Sequence, residues 1–287
     1  SMPSPARPLL GRIRLQLPGR ARDRSLSLSD AREPSLPRPS AAAIDLPTNP
    51  IAAEDLRTIC ASLLLSQSGR PPRVLLVTST APGEGKTTLA SALARTLAET
   101  GAGTLLIDCD VRRGRVGAIF DVPSDGGLTL YLAGHLASAP TIHSTGNDNL
   151  FVVTAGPPAP NPPALLGSDR MRSFLTDVMS SFQFVILDAP PVIPLADARI
   201  LAGMAEGVIL VVRAGKVPKS MVRRAYHALE TAGATVLGAV VNGSEEHGPD
   251  SPYRYYRDYY HSCVHASVLP GEAHAAPRRA GRPALLL

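Results

Sequence analysis

VLLVTSTAPGEGKTTLASALARTLAETG, residues 74–101, decides the fold. Its opening run, Val74 to Thr80, reads as a strand buried on both faces. Lys86 to Gly101 carries helical spacing and closes on a glycine. The glycine-rich turn between them sits where a phosphate-binding loop belongs. Gly83 and Gly85 allow backbone N–H groups to turn inward, and the helix N-terminus adds a dipole that favours an anion. Lys86 offers a point charge to β- and γ-phosphates, and the Thr87 hydroxyl can ligate Mg²⁺. A strict GxxxxGK[ST] pattern needs glycine at position 80, where this chain has Thr80. A plain glycine-rich turn is therefore the alternative reading.

The alternation of strand and helix continues in both directions. "AAEDLRTICASLLLS" upstream places Leu56, Ile59, Leu63 and Leu64 on one helical face. Downstream, strands are expected at "TLLIDCD", at "LFVVTAG" (150–156), at "FQFVILDAPP", and over 206–215 and 236–243. Helices are expected near 168–181, 195–205 and 218–232. This order predicts an α/β fold, a mostly parallel central sheet with helices on both faces. Residues 1–47 are rich in Arg, Pro and Ser and predict a disordered arm. Residues 48–243 form the single domain, and 244–287 turn polar and Pro/Gly-rich and predict a flexible tail.

Three acids stand at predicted strand ends. Asp108 and Asp110, two residues apart in "LLIDCDVRR", project the same way, and Asp188 closes "VILD". Carboxyl ends of parallel strands border the ligand crevice of open α/β sheets. With Lys86 and Thr87 they provide what a Mg²⁺–nucleotide centre requires. Any one of them alone could instead cap the following helix.

The net charge of +5 is concentrated in residues 1–40, where eight arginines face three acids. The remainder is neutral, which argues against a nucleic-acid partner. Three scattered cysteines, Cys60, Cys109 and Cys263, show no metal spacing and point to a reducing compartment. No apolar run approaches the ~18 residues that span a bilayer, so a soluble, cytoplasmic chain is expected. Five of the seven tyrosines fall within nine positions, "YRYYRDYYH": Tyr253, Tyr255, Tyr256, Tyr259 and Tyr260.

On these residues the chain resembles the bacterial tyrosine kinases of capsule and exopolysaccharide export, over about residues 47–260. "APGEGKTT" is similar to their Walker A, "LLIDCDVRRG" to their DxDxR motif, and "VILDAPP" to their Walker B. "NPPALL", "LADARIL" and "VVRAGKVPKS" are similar to further family segments, and the tyrosines to the family's autophosphorylation cluster. The resemblance implies an ATP-dependent protein-tyrosine autokinase with a P-loop, MinD/ParA-like fold and Mg²⁺. It implies catalytic roles for Lys86, Asp108, Asp110 and Asp188, with Asp110 facing the acceptor hydroxyl. It implies nucleotide contacts by Gly83, Glu84, Gly85, Lys86, Thr87 and Thr88, and metal binding by Thr87, Asp108 and Asp188. Asn242 would contact adenine, or be only a turn residue before Gly243. The five tail tyrosines would be phosphoacceptors. Implied partners are a membrane-embedded activator (a polysaccharide co-polymerase) that recruits the chain to the inner face of the plasma membrane, further copies in a ring, and a cognate tyrosine phosphatase.

"EDLRTIC" resembles the family's ring-forming ExxRxxR helix at Glu54 and Arg57, with Cys60 in place of the second arginine. A lost guanidinium would weaken that interface. Two other readings stay open. A MinD/ParA-type ATPase switch carries an extra lysine in its loop, where this chain has Ala81. A catalytically weak nucleotide-binding assembly subunit is the second.

Overall fold

The computed structural model describes residues 50–65, 70–136 and 139–243. The chain divides into two units, Ser1–Ser244 and Glu245–Leu287. The second unit lies outside the described residues, as do the arm 1–47 and the tyrosine cluster.

The elements follow in order: α1 (Pro50–Leu65), β1 (Val74–Ser79), α2 (Lys86–Glu99), β2 (Thr104–Asp108), α3 (Val116–Phe120) and α4 (Leu128–Leu132). Then come β3 (His143–Ser144), β4 (Leu150–Val153), α5 (Pro162–Leu166), α6 (Asp169–Met179) and β5 (Phe184–Asp188). The last are α7 (Asp197–Ala202), β6 (Gly207–Arg213), α8 (Lys219–Thr231) and β7 (Val236–Asn242). The seven strands form one sheet in the order β3-β4-β2-β5-β1-β6-β7. Every pairing is parallel except β3 with β4. Short α3, α4, α5 and β3 were not expected from the sequence, because pieces of two to five residues are too short to display a period.

Alternate strand residues divide between two cores. Val74, Leu76, Ile107, Leu187 and Leu210 face α4 to α8, where Phe174, Met171 and Leu229 fill the layer. Leu75, Val77, Leu106, Ile186 and Val211 face α1 and α2, packed on Leu93, Leu97 and Cys60. All residues of β1, β2 and β5 are buried, which explains their unbroken apolar runs. β7 is an edge strand with Gly238, Ala239, Val241 and Asn242 exposed, and its sequence alternates less clearly. Helix α2 ends at Thr100 followed by Gly101 at φ 89°, the left-handed stop that the sequence pattern required. Helix α6 is capped by Ser168, whose hydroxyl accepts from Met171 N at 3.3 Å.

The topology puts the site in one place. β5 lies between β1 and β2, so the loops leaving those two strands diverge and open a crevice above β5. Asp108 and Asp188 are register partners at adjoining strand ends, at the floor of that crevice.

Candidate active site

The loop after β1 wraps the N-terminus of α2. Gly83 (φ 76°) and Gly85 (φ 96°) adopt left-handed backbone that L side chains rarely take. A Cβ on Gly85 would lie 2.2 Å from Asn242 Nδ2, so a side chain there would also displace Asn242. Glu84 is fully buried, and its carboxylate accepts from Ala81 N (2.7 Å) and from Arg213 N at the end of β6 (3.1 Å). Its carbonyl accepts from Asn242 Nδ2 at 2.9 Å. The Glu84 side chain thus braces the loop against β6. Asn242, expected at adenine, likewise spends an amide N–H on the loop. Lys216, which the sequence reading did not single out, donates to Pro82 O and Gly83 O at 3.3 and 3.2 Å.

Lys86 and the three acids come together as expected. Lys86 Nζ donates to Asp110 Oδ2 at 2.9 Å and to Thr87 Oγ1 at 3.2 Å, and stands 3.6 Å from Asp188 Oδ1. Burial alone would lower the ammonium's pKa, but Asp188 and Asp110 outweigh it and leave it raised. Asp108 is 1% exposed. Its carboxylate accepts from Asp110 N (3.2 Å), Arg115 N (2.8 Å) and Val116 N (2.9 Å), so it organises the loop after β2. Asp188 is fully buried; neither carboxylate oxygen has a partner within strict hydrogen-bond geometry, and the Lys86 ammonium at 3.6 Å and the Thr87 hydroxyl are the polar groups that face it. Burial, with the neighbouring carboxylate of Asp188, pushes Asp108 up to about 7. Burial pushes Asp188 up to about 6 against the pull of Lys86.

An orphaned buried carboxylate beside a hydroxyl fits a cation that completes its shell elsewhere. Among the described residues no group of three or more His, Cys, Asp or Glu could hold a metal alone. That suits Mg²⁺, which takes one or two protein oxygens and fills the rest with phosphate and water. Asp188 and Thr87 share one ammonium and keep further lone pairs, whereas three N–H groups already occupy Asp108.

Two further features were missed by the sequence reading. Arg112 forms a two-pronged ion pair with Asp197, Nε at 2.7 Å and Nη2 at 3.2 Å, with Asp197 fully buried at the start of α7. This ties the loop bearing Asp110 to the far side of the crevice. The signal was the Arg of DxDxR, but only the fold reveals its partner, 85 residues away. A recess of about 430 Å³ above Lys86 and Thr87 is also lined by Pro190, Arg113 and Arg115. Beside it, a recess of about 190 Å³ lies between α1, α2 and β7, lined by Leu56, Ile59, Val240 and Asn242 among others.

On α1, Glu54 and Arg57 are exposed and pair with each other at 2.9 Å. Cys60 is 4% exposed and packs in the core under α1. Position 60 therefore points inward in the single chain, where the thiol serves packing.

Residues 75–247 match the CobQ/CobB/MinD/ParA nucleotide binding domain family. The chain is 35% identical over 204 residues to tyrosine-protein kinase YwqD of Bacillus subtilis (strain 168), covering 71% of this chain and 86% of that one. The chain belongs to the bacterial tyrosine kinases of this nucleotide-binding family. A putative tyrosine-protein kinase, CapB of Staphylococcus aureus, is 34% identical over 212 residues, covering 74% and 92%. The solved kinase domain of Escherichia coli tyrosine kinase ETK superposes with a TM-score of 0.65 at 31% identity, covering 78% of this chain and 88% of that one. The fold class and enzyme class read from the sequence agree with the comparisons. Among the described residues no helix is long and apolar enough to cross a membrane.

Proposed function

We propose that this bacterial tyrosine kinase transfers the γ-phosphate of Mg·ATP to Tyr253, Tyr255, Tyr256, Tyr259 and Tyr260, and so regulates polysaccharide synthesis or export. The observation that carries the reading is the convergence of Lys86, Asp110 and Asp188 within 3.6 Å of one ammonium at the crevice floor. Backbone N–H groups of Gly83, Glu84, Gly85, Lys86, Thr87 and Thr88 face the triphosphate. Lys86 leaves Asp110 for the β- and γ-oxygens when nucleotide enters. Thr87, Asp188 and Asp108 would hold Mg²⁺ when it is bound, directly or through water. The cation, when bound, neutralises charge on the phosphate oxygens. Asn242 and the apolar recess beside Gly85 receive the base. Asp110, freed from Lys86, aligns the tyrosine hydroxyl and accepts its proton as the new O–P bond forms and ADP leaves. Because the transition state is loose, this alignment matters more than base strength; the phenol's pKa is near 10.

The domain limits are 48–243, with 1–47 an Arg-rich arm and 244–287 the acceptor tail. From Asn242 to Tyr253 an extended chain spans at most roughly 36–40 Å, which sets the reach of the acceptor tail. A membrane-embedded activator as partner, with recruitment from the cytoplasm to the membrane's inner face, is what the family resemblance implies. Glu54 and Arg57, on the outer face of α1, support ring assembly. A tyrosine phosphatase reverses the modification.

The test is incubation of the full chain with Mg·ATP, beside Lys86→Met and a variant with the five tail tyrosines changed to Phe. Phosphotyrosine in the parent and loss of it in both variants is expected. Phosphate release without phosphotyrosine would instead identify an ATPase switch, and label persisting in the Phe variant would remove the tail as main acceptor.

A further inference from the structure

The loop after β2 carries three guanidiniums in four positions, and only one is committed. Arg112 is held by Asp197. Arg113 and Arg115 line the recess above Lys86. Among the described residues neither of their guanidiniums has an ion pair or a side-chain hydrogen bond.

Their backbone is nonetheless fixed. Arg113 N donates to Asp110 Oδ1 at 3.1 Å, and Arg115 N to Asp108 Oδ2 at 2.8 Å. Gly114 between them packs so closely that a Cβ would lie 2.5 Å from Ala155 Cβ and 2.9 Å from Asp108 Oδ2. The strand-end acids thus clamp the loop from below and leave two guanidiniums at the mouth of the recess. Arginine in pairs is suited to planar, multi-toothed capture of a phosphate monoester.

The position selects the ligand. The loops after β1 and β2 leave strands that flank β5 and line the same recess; in the proposed function the loop after β1, with Lys86, receives the nucleotide phosphates. Arg113 and Arg115 share their loop with Asp110, on the acceptor's side. The unmodified tail segment from Tyr253 to His261 carries Arg254 and Arg257 against Asp258, so two arginines do not attract it. One phosphate adds about −1.5 to −2 charges and three acceptor oxygens, and reverses that balance.

We propose that Arg113 and Arg115 form a docking subsite for a phosphotyrosine already present on the acceptor polypeptide. The first transfer then primes the next, because the bound phosphate holds a neighbouring tyrosine near Asp110. This inference rests on the acceptor role assigned to the tail.

The test uses the full chain with its five tail tyrosines changed to Phe, so that its own tail is not modified. Labelled peptides of residues 251–262, unmodified or with one phosphotyrosine, are titrated in the presence of Mg·ADP and followed by fluorescence anisotropy. The phosphopeptide is expected to bind about tenfold more tightly. That ratio should fall to about one in Arg113→Ala/Arg115→Ala and be partly kept in the double Lys variant, which retains charge but not the fork. Thermal unfolding confirms that both variants fold. Equal binding of the two peptides, or a ratio unchanged in the double Ala variant, overturns the proposal. So does a double Ala variant in which ADP affinity falls while the peptide ratio persists, because the pair then serves the nucleotide. Phosphoryl transfer to the peptides is measured separately. Its absence with the binding ratio intact would refute the acceptor reading while leaving the subsite in place.

Discussion

Asp188 gives the sharpest residue-scale test, because a fully buried carboxylate with only the Lys86 ammonium at 3.6 Å to offset its charge is costly to ionise unless a metal cation arrives. Its pKa in the fold is raised above the unfolded value, as is that of Asp108. A raised carboxyl contributes stability that is complete at acid pH and is lost as pH rises through about 6 to 7. The metal-free protein should therefore be more stable at pH 5 than at pH 8, with the loss falling between about pH 4 and pH 7. Asp188→Asn should flatten that slope and raise metal-free stability at pH 8 by about 1–3 kcal/mol, while abolishing phosphoryl transfer. Thermal unfolding at both pH values, with and without Mg·ADP, checks this, and Mg·ADP should stabilise the parent more at pH 8. An Asp188→Asn protein less stable than the parent at pH 8 would mean that the carboxylate is satisfied in the fold. Lys86→Met should lower the transfer rate by about a hundredfold or more, read as phosphotyrosine formed per minute. Both residues were legible in the sequence, since each follows an apolar strand. The difference between Asp108 and Asp188 was not: one carboxylate is saturated by loop N–H groups and the other is bare, which depends on how the loop folds back over β2.

At the scale of elements, two loops are positioned by distant parts of the chain. The loop after β1 is braced by Glu84 to β6 and by Asn242 of β7, and Gly85 fits only because it lacks a Cβ. Gly85→Ala should cost about 1–3 kcal/mol from its positive φ alone and lower nucleotide affinity further by pushing Asn242 aside. Titration with a fluorescent ADP analogue, beside an unfolding curve, separates the two effects. The loop after β2 is held by Arg112 on Asp197. Because Asp197 is buried and Arg112 is partly exposed, the two halves of that pair are unequal. Arg112→Ala should cost more, about 1–3 kcal/mol for an abandoned buried carboxylate, than Asp197→Asn, which leaves the arginine a route to water. Denaturant midpoints of both variants test the asymmetry, and equal costs would count against it. The long elements were readable from periodicity. Short α3, α4, α5 and β3 were not, since two to five residues cannot show a repeat and only tertiary contacts stabilise them.

For the whole molecule, Cys60 separates an interface role from a core role. The alignment of "EDLRTIC" with a ring-forming helix suggests that arginine at 60 would strengthen assembly, whereas the packing of Cys60 against α2 says that it would not fit. Cys60→Arg is expected to destabilise by about 3 kcal/mol or more through a buried charge, seen as a lowered unfolding temperature without a larger particle by light scattering. A larger, equally stable assembly would restore the interface reading. The sequence by itself determined the α/β order, the phosphate loop, the strand-end acids and the tyrosine-rich segment, because each is written in local spacing that needs no distant partner. The tertiary structure alone decided which acid is bare, that Glu84 and Asn242 brace the loop, that Arg112 meets Asp197, and that Arg113 and Arg115 stand uncommitted beside Asp110. Those outcomes depend on strand order: inserting β5 between β1 and β2 brings together loops that are far apart along the chain, and hydrogen-bond partners follow from that proximity rather than from sequence pattern.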